Sequence, residues 1–495
     1  MSALTLASLL DGLLPWPDPV ELPIRGLGLD SRAIRAGQVF VARVGSQHHG
    51  LAFARQAISN GAVAVLYETP ITTADRALLA GLGVPTIGSS ELGAQLGKLA
   101  QRCYGSQAPR PGLIGITGTN GKTSSVQLLT QALHANGLAV GSIGTLGSGR
   151  FGQLQAAERT TPDVFATHAA IAEMRASGAD WVAMEVSSHA LVQGRVDGLR
   201  FTVAAFTNLS RDHLDFHGDM ASYGAAKAKL FDWPALASAV IHIDDAFGRT
   251  LAAGITRARR ITLSTAGNPA ATFAAEGIRS DAHGSAFDLR HGNQRYPVQS
   301  RLLGRFNVAN LLTVAGILSA LDWPPTAIAA ALCALDPVPG RMARLGGNAT
   351  TPLIVIDYAH TPDALAKALA SLREHTRGRL LLVFGCGGER DRGKRPQMGA
   401  IGASAADFCI VTDDNPRAES GDQIVQEILT GMPTAPHIHI QRDRRAAIRL
   451  AIAMAAANDT VLIAGKGHEA YQEVSGIKHP FDDLTEARAA LEAAA

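Results

Sequence analysis

Short unbroken apolar runs alternate along this chain with longer segments whose apolar residues recur at helical spacing. Near the start, Gln38 to Val44 and Ala62 to Tyr67 read as strands, and Phe53 to Asn60 between them reads as a helix capped by Gly61. Ile114 to Thr117 reads as a strand running into a glycine turn. The helix after Lys122 puts Val126, Leu129 and Leu133 on one face and stops near Gly137. Trp181 to Val186 and Phe201 to Thr207 are strands, and Tyr223 to Lys227 is helical. Ala252 to Val298 is strand-rich without a clear order, and Gly304 to Asn310 opens an apolar helix. Four further apolar runs read as strands: Leu353 to Asp357, Leu380 to Phe384, Phe408 to Thr412 and Thr460 to Ala464. After the first of these, Thr361 is placed to cap a helix with Pro362 at its first position and Asp363 complementing its dipole.

This alternation predicts an α/β protein with mostly parallel sheets and ligand crevices at the carboxyl ends of strands. A chain of 495 residues is too long for one core. Ser106 to Gly112 carries two prolines and reads as a linker, and Asp336 to Arg341 reads as a second boundary. The expected domains are a small α/β domain at 1–101, a central parallel-sheet domain of phosphate-loop ATPase type at 102–337, and a Rossmann-like α/β domain at 338–495.

The polar clusters fall where that architecture wants ligands. Gly118-Thr119-Asn120-Gly121-Lys122-Thr123-Ser124 joins a strand to a helix. Glycine lets backbone N–H groups approach a phosphate, the helix start presents its positive end, Lys122 adds a charge, and Thr123 offers a hydroxyl to magnesium. The strict pattern wants glycine where Ile116 stands; an ordinary turn with a surface lysine is the alternative, and the clean flanking strand and helix favour a nucleoside triphosphate. Glu185 and His213 have the chemistry of magnesium or manganese ligands; a lone buried Glu or His is more often structural, but each is expected to end a strand neighbouring this loop, which favours metal binding. Lys227 by itself reads as a solvated helix residue. Asn307 and Asn310 share a helix face, where they could read a base edge or cap the helix. The turns Leu29-Asp30-Ser31-Arg32 and Gly45-Ser46-Gln47-His48 are ordinary loop chemistry when judged alone. In the third domain, every apolar strand runs into a charged or glycine-rich cluster: Tyr358-Ala359-His360, Gly385 to Asp391, Asp413 to Arg417, and Gly465 to Glu469. A second ligand crevice is expected there.

Bulk composition narrows the classes. A formal net charge of +2 gives no electrostatic footprint for nucleic acid. The 4 cysteines are scattered, without zinc or disulfide spacing, which suits reduced thiols in the cytoplasm. The amino terminus lacks a basic leader, and no apolar run is long enough to span a bilayer. The expectation is a cytoplasmic monomer with no membrane or nucleic-acid partner.

Taken together, the motifs resemble the ATP-dependent Mur ligases, the amide-bond-forming family of peptidoglycan synthesis. The resemblance covers nearly the whole chain. It is carried by Gly118 to Thr123, Glu185 to His189, Asn208 to His213, Tyr223 to Lys227, Asn307 with Asn310, Gly340-Arg341, and Asp357 to His360. Asp414-Asn415-Pro416-Arg417 resembles the signature of members that add meso-2,6-diaminopimelate rather than L-lysine to UDP-N-acetylmuramoyl-L-alanyl-D-glutamate. Diaminopimelate carries an extra carboxylate at its far end, which an arginine fork can hold.

The resemblance implies roles. Leu29, Ser31, Ser46, Gln47 and His48 would hold the UDP part. Arg159, Thr160, Thr161, Ser187, Gln193 and Arg195 would line the muramoyl-peptide channel. Asn310, Arg341 and Asp357 would join the phosphate loop on ATP. Thr123 and Glu185 would hold one Mg2+, and His213 with a carbamylated Lys227 a second. Arg390 and Arg417 would take the far carboxylate of diaminopimelate, Asp414 and Glu469 its ammonium, with Asn415, Pro416 and Gly465 alongside. Closure of the third domain before chemistry is expected. Arg159 stands where relatives often carry asparagine, and Ala343 where an acid is common. A lysine-adding ligase, a folylpolyglutamate synthase and a nucleotide switch without ligase chemistry are the competing readings. The first domain and the Arg417 cluster speak against the second, and the third leaves the strand-end clusters unexplained.

Overall fold

The computed structural model describes residues 4–45, 48–105, 111–156, 159–281 and 283–494. The chain packs into two units, 1–261 and 262–495.

The first unit contains two sheets, one wholly and one mainly parallel. Gly26–Gly28, Gln38–Ala42, Ala64–Glu68 and Thr86–Ser89 pair in sequence order, all parallel. The expected helix is there as Ala54–Ser59, preceded by a 3-10 turn at Gly50–Phe53. The larger sheet places Gly112–Thr117 between Phe201–Phe206 and Trp181–Glu185, all parallel. Ser238–His242 continues it in parallel on one side and Val140–Gly144 on the other, and the hairpin strands Gly147–Arg150 and Gln153–Gln155 follow antiparallel. Strands buried on both faces need no alternation, which is why Ile114, Ile116, Val182, Met184, Val203 and Phe206 form near-continuous apolar runs.

The helix Lys122–Ala135 differs from the expected one-faced element. Besides Val126, Leu129 and Leu133, it buries Thr123, Ser124, Ser125, Gln127, Leu128 and Thr130. It is packed on most sides, so the polar residues at its start are interior groups with interior partners.

The second unit opens with the antiparallel meander Phe273–Asp281, Gly284–His291 and Gln294–Ser300, which gives order to the stretch the sequence left irregular. The helices Arg305–Ala320 and Pro325–Ala334 follow. A six-stranded sheet then runs in the order Ala343–Gly346, Leu353–Asp357, Thr460–Ala464, Leu380–Phe384, Phe408–Val411, Ile438–Ile440. Only the first of these is antiparallel to its neighbour. The four strands expected from sequence are therefore adjacent and parallel, with their carboxyl ends on one edge. Thr361 caps the next helix by accepting from the Ala364 N–H, with Pro362 at its first turn. A hairpin, Tyr471–Val474 with Ile477–Pro480, lies after the last parallel strand.

Arg444 and Asp483 form a fully buried ion pair beneath this sheet, with Nε–Oδ1 at 2.8 Å and Nη2–Oδ2 at 2.7 Å. Arg444 also donates to the Ala464 carbonyl at the end of the central strand. Breaking a buried pair strands a charge, whereas replacing both partners with apolar groups does not. Asp483→Asn is expected to lower stability by about 3 kcal/mol in chemical denaturation of the full chain, and Arg444→Met with Asp483→Leu to recover most of that loss. An Asp483→Asn protein as stable as the parent would contradict this.

Candidate functional site

The first site forms where Gly112–Thr117 meets Lys122–Ala135. Gly118 has φ of 146°, and a Cβ there would stand 1.9 Å from Thr207 Oγ1, so no side chain fits. The loop is fastened to the strand beside it. Asn120 N donates to Asn208 Oδ1 at 3.1 Å, Thr207 Oγ1 donates to the Asn120 carbonyl at 2.6 Å, and Thr119 N donates to the Asn208 carbonyl at 2.8 Å. The Asn208 to Ser210 segment thus holds the loop in place.

Two amines converge on this loop. Lys122 Nζ donates to the carbonyls of Gly118 and Thr119, each at 2.8 Å. Lys227 Nζ donates to the same Gly118 carbonyl at 2.9 Å and lies 4.4 Å over the Tyr223 ring. Lys227 is 1% exposed, which corrects its reading as a solvated helix residue. Burial, reinforced by the nearby Lys122 charge, pulls its pKa down to about 6. It is therefore a neutral amine at physiological pH.

Glu185 is the last residue of its strand and almost fully buried. Thr123 Oγ1 donates to its Oε2 at 2.9 Å, and Thr145 N to its Oε1 at 2.7 Å. Gly144 leaves it room, since a Cβ there would come within 2.3 Å of Oε1. A hydroxyl and a carboxylate held together at the mouth of a phosphate loop are hard oxygen donors of the kind Mg2+ takes. Thr145 escaped the sequence reading. Its signal was an apolar strand, Val140–Gly144, running straight into a hydroxyl residue.

The muramoyl candidates line up beyond Glu185. Thr160 Oγ1 lies 3.1 Å from Thr145 Oγ1, and Thr161 Oγ1 donates to the Glu185 carbonyl at 2.8 Å. Ser187 N donates to Thr161 Oγ1 at 3.2 Å. Arg195 Nη1 reaches the Thr161 carbonyl at 2.9 Å while its Nε holds Gln193 Oε1. These residues form one connected chain.

His213 is placed differently from the expectation. It does not end a strand; it precedes the short helix Leu214–His217 with φ of 53°. Its ring stands edge-on to His189 at 4.7 Å and 6.3 Å from Tyr223. Tyr223 therefore has His213 on one contact and Lys227 on another. Among the described residues, no group of three or more His, Cys, Asp or Glu is arranged to hold a metal.

A cavity of about 810 Å³ in the first unit is lined by Leu29, Ser31, Arg43, His48, Gln56 and Arg159, among others. Ser31 donates to Gln56 Oε1 at 2.7 Å, and Asn60 Nδ2 to the Ser31 carbonyl at 2.8 Å. The two turns that looked ordinary in isolation thus face one space. Ser46 and Gln47 lie outside the described residues.

In the second unit, the strand-end clusters meet. Asn415 Nδ2 donates to Glu469 Oε2 at 2.8 Å, and a Cβ on Gly465 would stand 3.3 Å from Asp414 Oδ2. Asp414 is 7% exposed, and its Oδ1 has no hydrogen-bond partner among the described residues. Arg417 Nη1 donates to the Gly388 carbonyl at 2.7 Å, and Arg390 and Arg417 both flank Gly387. Pro416 is buried beside them. Nearby, the Arg341 guanidinium lies 4.7 Å over the Tyr358 ring, and Asp357 Oδ2 accepts from Met342 N at 2.9 Å. Burial pushes the Asp357 carboxyl up, against the opposing pull of Arg341. Asn310 is 5% exposed and donates to Asn307 Oδ1 at 2.8 Å, so these amides serve each other within the helix.

Known proteins resemble the chain throughout. Residues 23–104 match the model of the Mur ligase family catalytic domain, 116–318 the Mur ligase middle domain, and 340–467 the Mur ligase glutamate ligase domain. A UDP-N-acetylmuramoyl-L-alanyl-D-glutamate–2,6-diaminopimelate ligase of Xanthomonas campestris pv. campestris is 55% identical, covering 95% of this chain and 94% of that protein. The ligase of that name from Xylella fastidiosa is 50% identical, over 99% of this chain and 98% of its own. A solved structure of a ligase with the same name superposes with a TM-score of 0.71 at 34% identity, over 99% of both chains. No helix among the described residues is long and apolar enough to cross a membrane.

The depressed pKa of Lys227 can be checked directly. In buffer free of carbon dioxide, the NMR shift of the Lys227 side chain followed across pH is expected to show a midpoint near 6. A titration near the ordinary lysine value would contradict the burial argument.

Proposed function

The chain belongs to the Mur ligase family, and on that premise we propose that it joins meso-2,6-diaminopimelate to UDP-N-acetylmuramoyl-L-alanyl-D-glutamate at the expense of ATP. The full-length likeness to ligases of that name supports the activity. The observation that carries the choice of amine is Asp414, a buried carboxylate with an oxygen still lacking a hydrogen-bond partner among the described residues, in the same strand-end segment as Arg417, which with Arg390 flanks Gly387. A carboxylate only partly met by Lys466, 3.8 Å away, and a pair of guanidiniums suit a ligand head that has both an ammonium and a carboxylate.

The reaction follows from the groups present. A carboxylate does not condense with an amine at neutral pH because oxide is too poor a leaving group. The side-chain carboxylate of the D-glutamyl residue attacks the γ-phosphorus of ATP, the bond to ADP breaks, and an acyl phosphate forms. The uncharged amine of diaminopimelate attacks the acyl carbon, passes through a tetrahedral intermediate, loses a proton, and expels phosphate. The protein contributes placement and charge. Lys122 neutralises the β- and γ-phosphates against backbone N–H groups from Gly118 to Ser124. Thr123 and Glu185 are the residues that would hold Mg2+, which supplies further positive charge to the phosphates. A carbamate on Lys227, with His213, is proposed as a second metal position; the neutral amine is the form that can react with carbon dioxide. Asn310, Arg341 and Asp357 are proposed nucleotide ligands. Leu29, Ser31, Ser46, Gln47 and His48 are assigned to the UDP end, and Arg159, Thr160, Thr161, Ser187, Gln193 and Arg195 to the muramoyl peptide. Use of ATP and a UDP-linked substrate supports assigning the reaction to the cytoplasm.

Phosphate release is expected to need both the UDP-muramoyl dipeptide and an amine, with meso-diaminopimelate far better than L-lysine. Arg417→Ala should lower kcat/KM for diaminopimelate by about a hundredfold, the cost of removing one partner of a desolvated charged hydrogen bond. Release from ATP alone, or equal use of the two amines, would overturn the proposal.

A further inference from the structure

We propose that Lys466 and Glu473 are fixed counter-ions that set the charge balance of the amine-head pocket and so decide which amino acid it accepts. This rests on the diaminopimelate reading above and adds two residues to it.

Lys466 follows the central strand Thr460–Ala464 and is 0% exposed. Lysine normally keeps its ammonium in water, so a wholly interior one needs anionic company. It has that company. Nζ lies 3.0 Å from Asn415 Oδ1, 3.4 Å from Glu469 Oε2 and 3.8 Å from Asp414 Oδ1. Asn415 Oδ1 also accepts the Glu473 N–H at 2.9 Å, so the amide is locked with its Nδ2 turned toward Glu469. The lysine thereby both orients the pocket floor and cancels one of its carboxylates.

Glu473 plays the matching part on the other side. Its carbonyl accepts Arg417 N at 2.9 Å, and Ser475 N donates to the Arg417 carbonyl at 2.7 Å. The hairpin thus grips Arg417 at a residue whose φ is 54°, a left-handed conformation that a bulky side chain rarely adopts unaided. The Glu473 carboxylate stands 3.6 Å from Arg417 Nε.

Charge bookkeeping then favours a zwitterionic head. Asp414 and Glu469 against Lys466 leave one net negative charge, which suits one ammonium. Arg390 and Arg417 against Glu473 leave one net positive charge, which suits one carboxylate. Other charged neighbours are the same in every variant: Lys394 donates to the His360 carbonyl at 2.8 Å, Arg341 lies over the Tyr358 ring, Arg395 donates to the Gly387 carbonyl at 3.2 Å and is paired with Glu419 and Glu427, and Arg444 is paired with Asp483. Deleting either counter-ion unbalances the pocket in a known direction. Without Lys466, excess negative charge favours a head with an ammonium alone, as in L-lysine. Without Glu473, excess positive charge favours a head with a carboxylate alone, as in 2-aminopimelate. A purely structural role would depress all three amines together.

The test is kcat/KM for meso-diaminopimelate, L-lysine and 2-aminopimelate in parent, Lys466→Met, Lys466→Arg and Glu473→Gln proteins, at about pH 7, because burial pulls the Lys466 ammonium below the usual lysine range and a lower pH keeps it charged. Lys466→Met is expected to lower the diaminopimelate-to-lysine ratio by about tenfold or more, with Lys466→Arg keeping the parent ratio. Glu473→Gln is expected to raise the 2-aminopimelate-to-diaminopimelate ratio by about threefold or more, with KM for ATP within about twofold of the parent. If the parent discriminates among the amines and both variants keep its ratios, this inference is overturned while the diaminopimelate reading stands. If the parent does not discriminate, both fall. Should Lys466→Met fail to fold, Glu473→Gln on the surface hairpin decides the matter alone.

Discussion

Two lysines on one carbonyl oxygen set the terms for the first unit. Lys122 and Lys227 both donate to Gly118 O, at the positive end of a helix and at the edge of a parallel sheet. Such a concentration of nitrogen donors is uncomfortable without an anion. The structure relieves it by burying one amine as a neutral group and leaving the other partly exposed. The same crowding makes the spot fit for a polyphosphate. Everything around it protects that arrangement: the bare Cα of Gly118, the Asn208 clasp on the loop, and the small residue at 144 that admits Glu185. A side chain at 118 or 144 would push on Thr207 or Glu185 before it touched any substrate.

The second unit solves the complementary problem with the same geometry. Its parallel strands also end in polar clusters on one edge, but there the scarce element is a partner for an anion. Asp414 is held nearly out of water by backbone and glycine packing, and the buried Lys466 only partly compensates it. Strained backbone marks the rim, with positive φ at Glu389 and Arg417. A site that is rigid, charged and incomplete on its own is suited to recognise a small zwitterion by matching charge to charge.

The sequence made some of this plain and hid the rest for physical reasons. The phosphate loop was legible because its chemistry is local: glycines, a lysine and a hydroxyl between a strand and a helix. The strand-end clusters of the second unit were legible because parallel strands are continuous apolar runs with abrupt ends. Lys227 was not legible, because its burial comes from packing on Tyr223 and on a loop more than a hundred residues earlier. The amphipathic reading of Lys122–Ala135 failed for a related reason, since hydroxyls and an amide with interior partners can be buried as fully as leucines. Gly26–Gly28 carries no strand signal in its residues; pairing with Gln38–Ala42 makes it one. Asn307 and Asn310 were left open between base recognition and helix support, and their mutual hydrogen bond now accounts for part of their capacity.

The central claim is that the crowded donors at Gly118 serve to place a phosphoryl group on the substrate's carboxylate. The most direct measurement follows an oxygen atom. The UDP-muramoyl dipeptide is prepared with a heavy oxygen isotope in the D-glutamyl side-chain carboxylate, turned over with ATP and meso-diaminopimelate, and the released phosphate is analysed by mass. Transfer of one labelled oxygen to inorganic phosphate is the expected result, because the acyl phosphate breaks at the acyl carbon. Phosphate free of label, with the oxygen lost from the carboxylate found instead in a nucleotide or in water, would contradict the account.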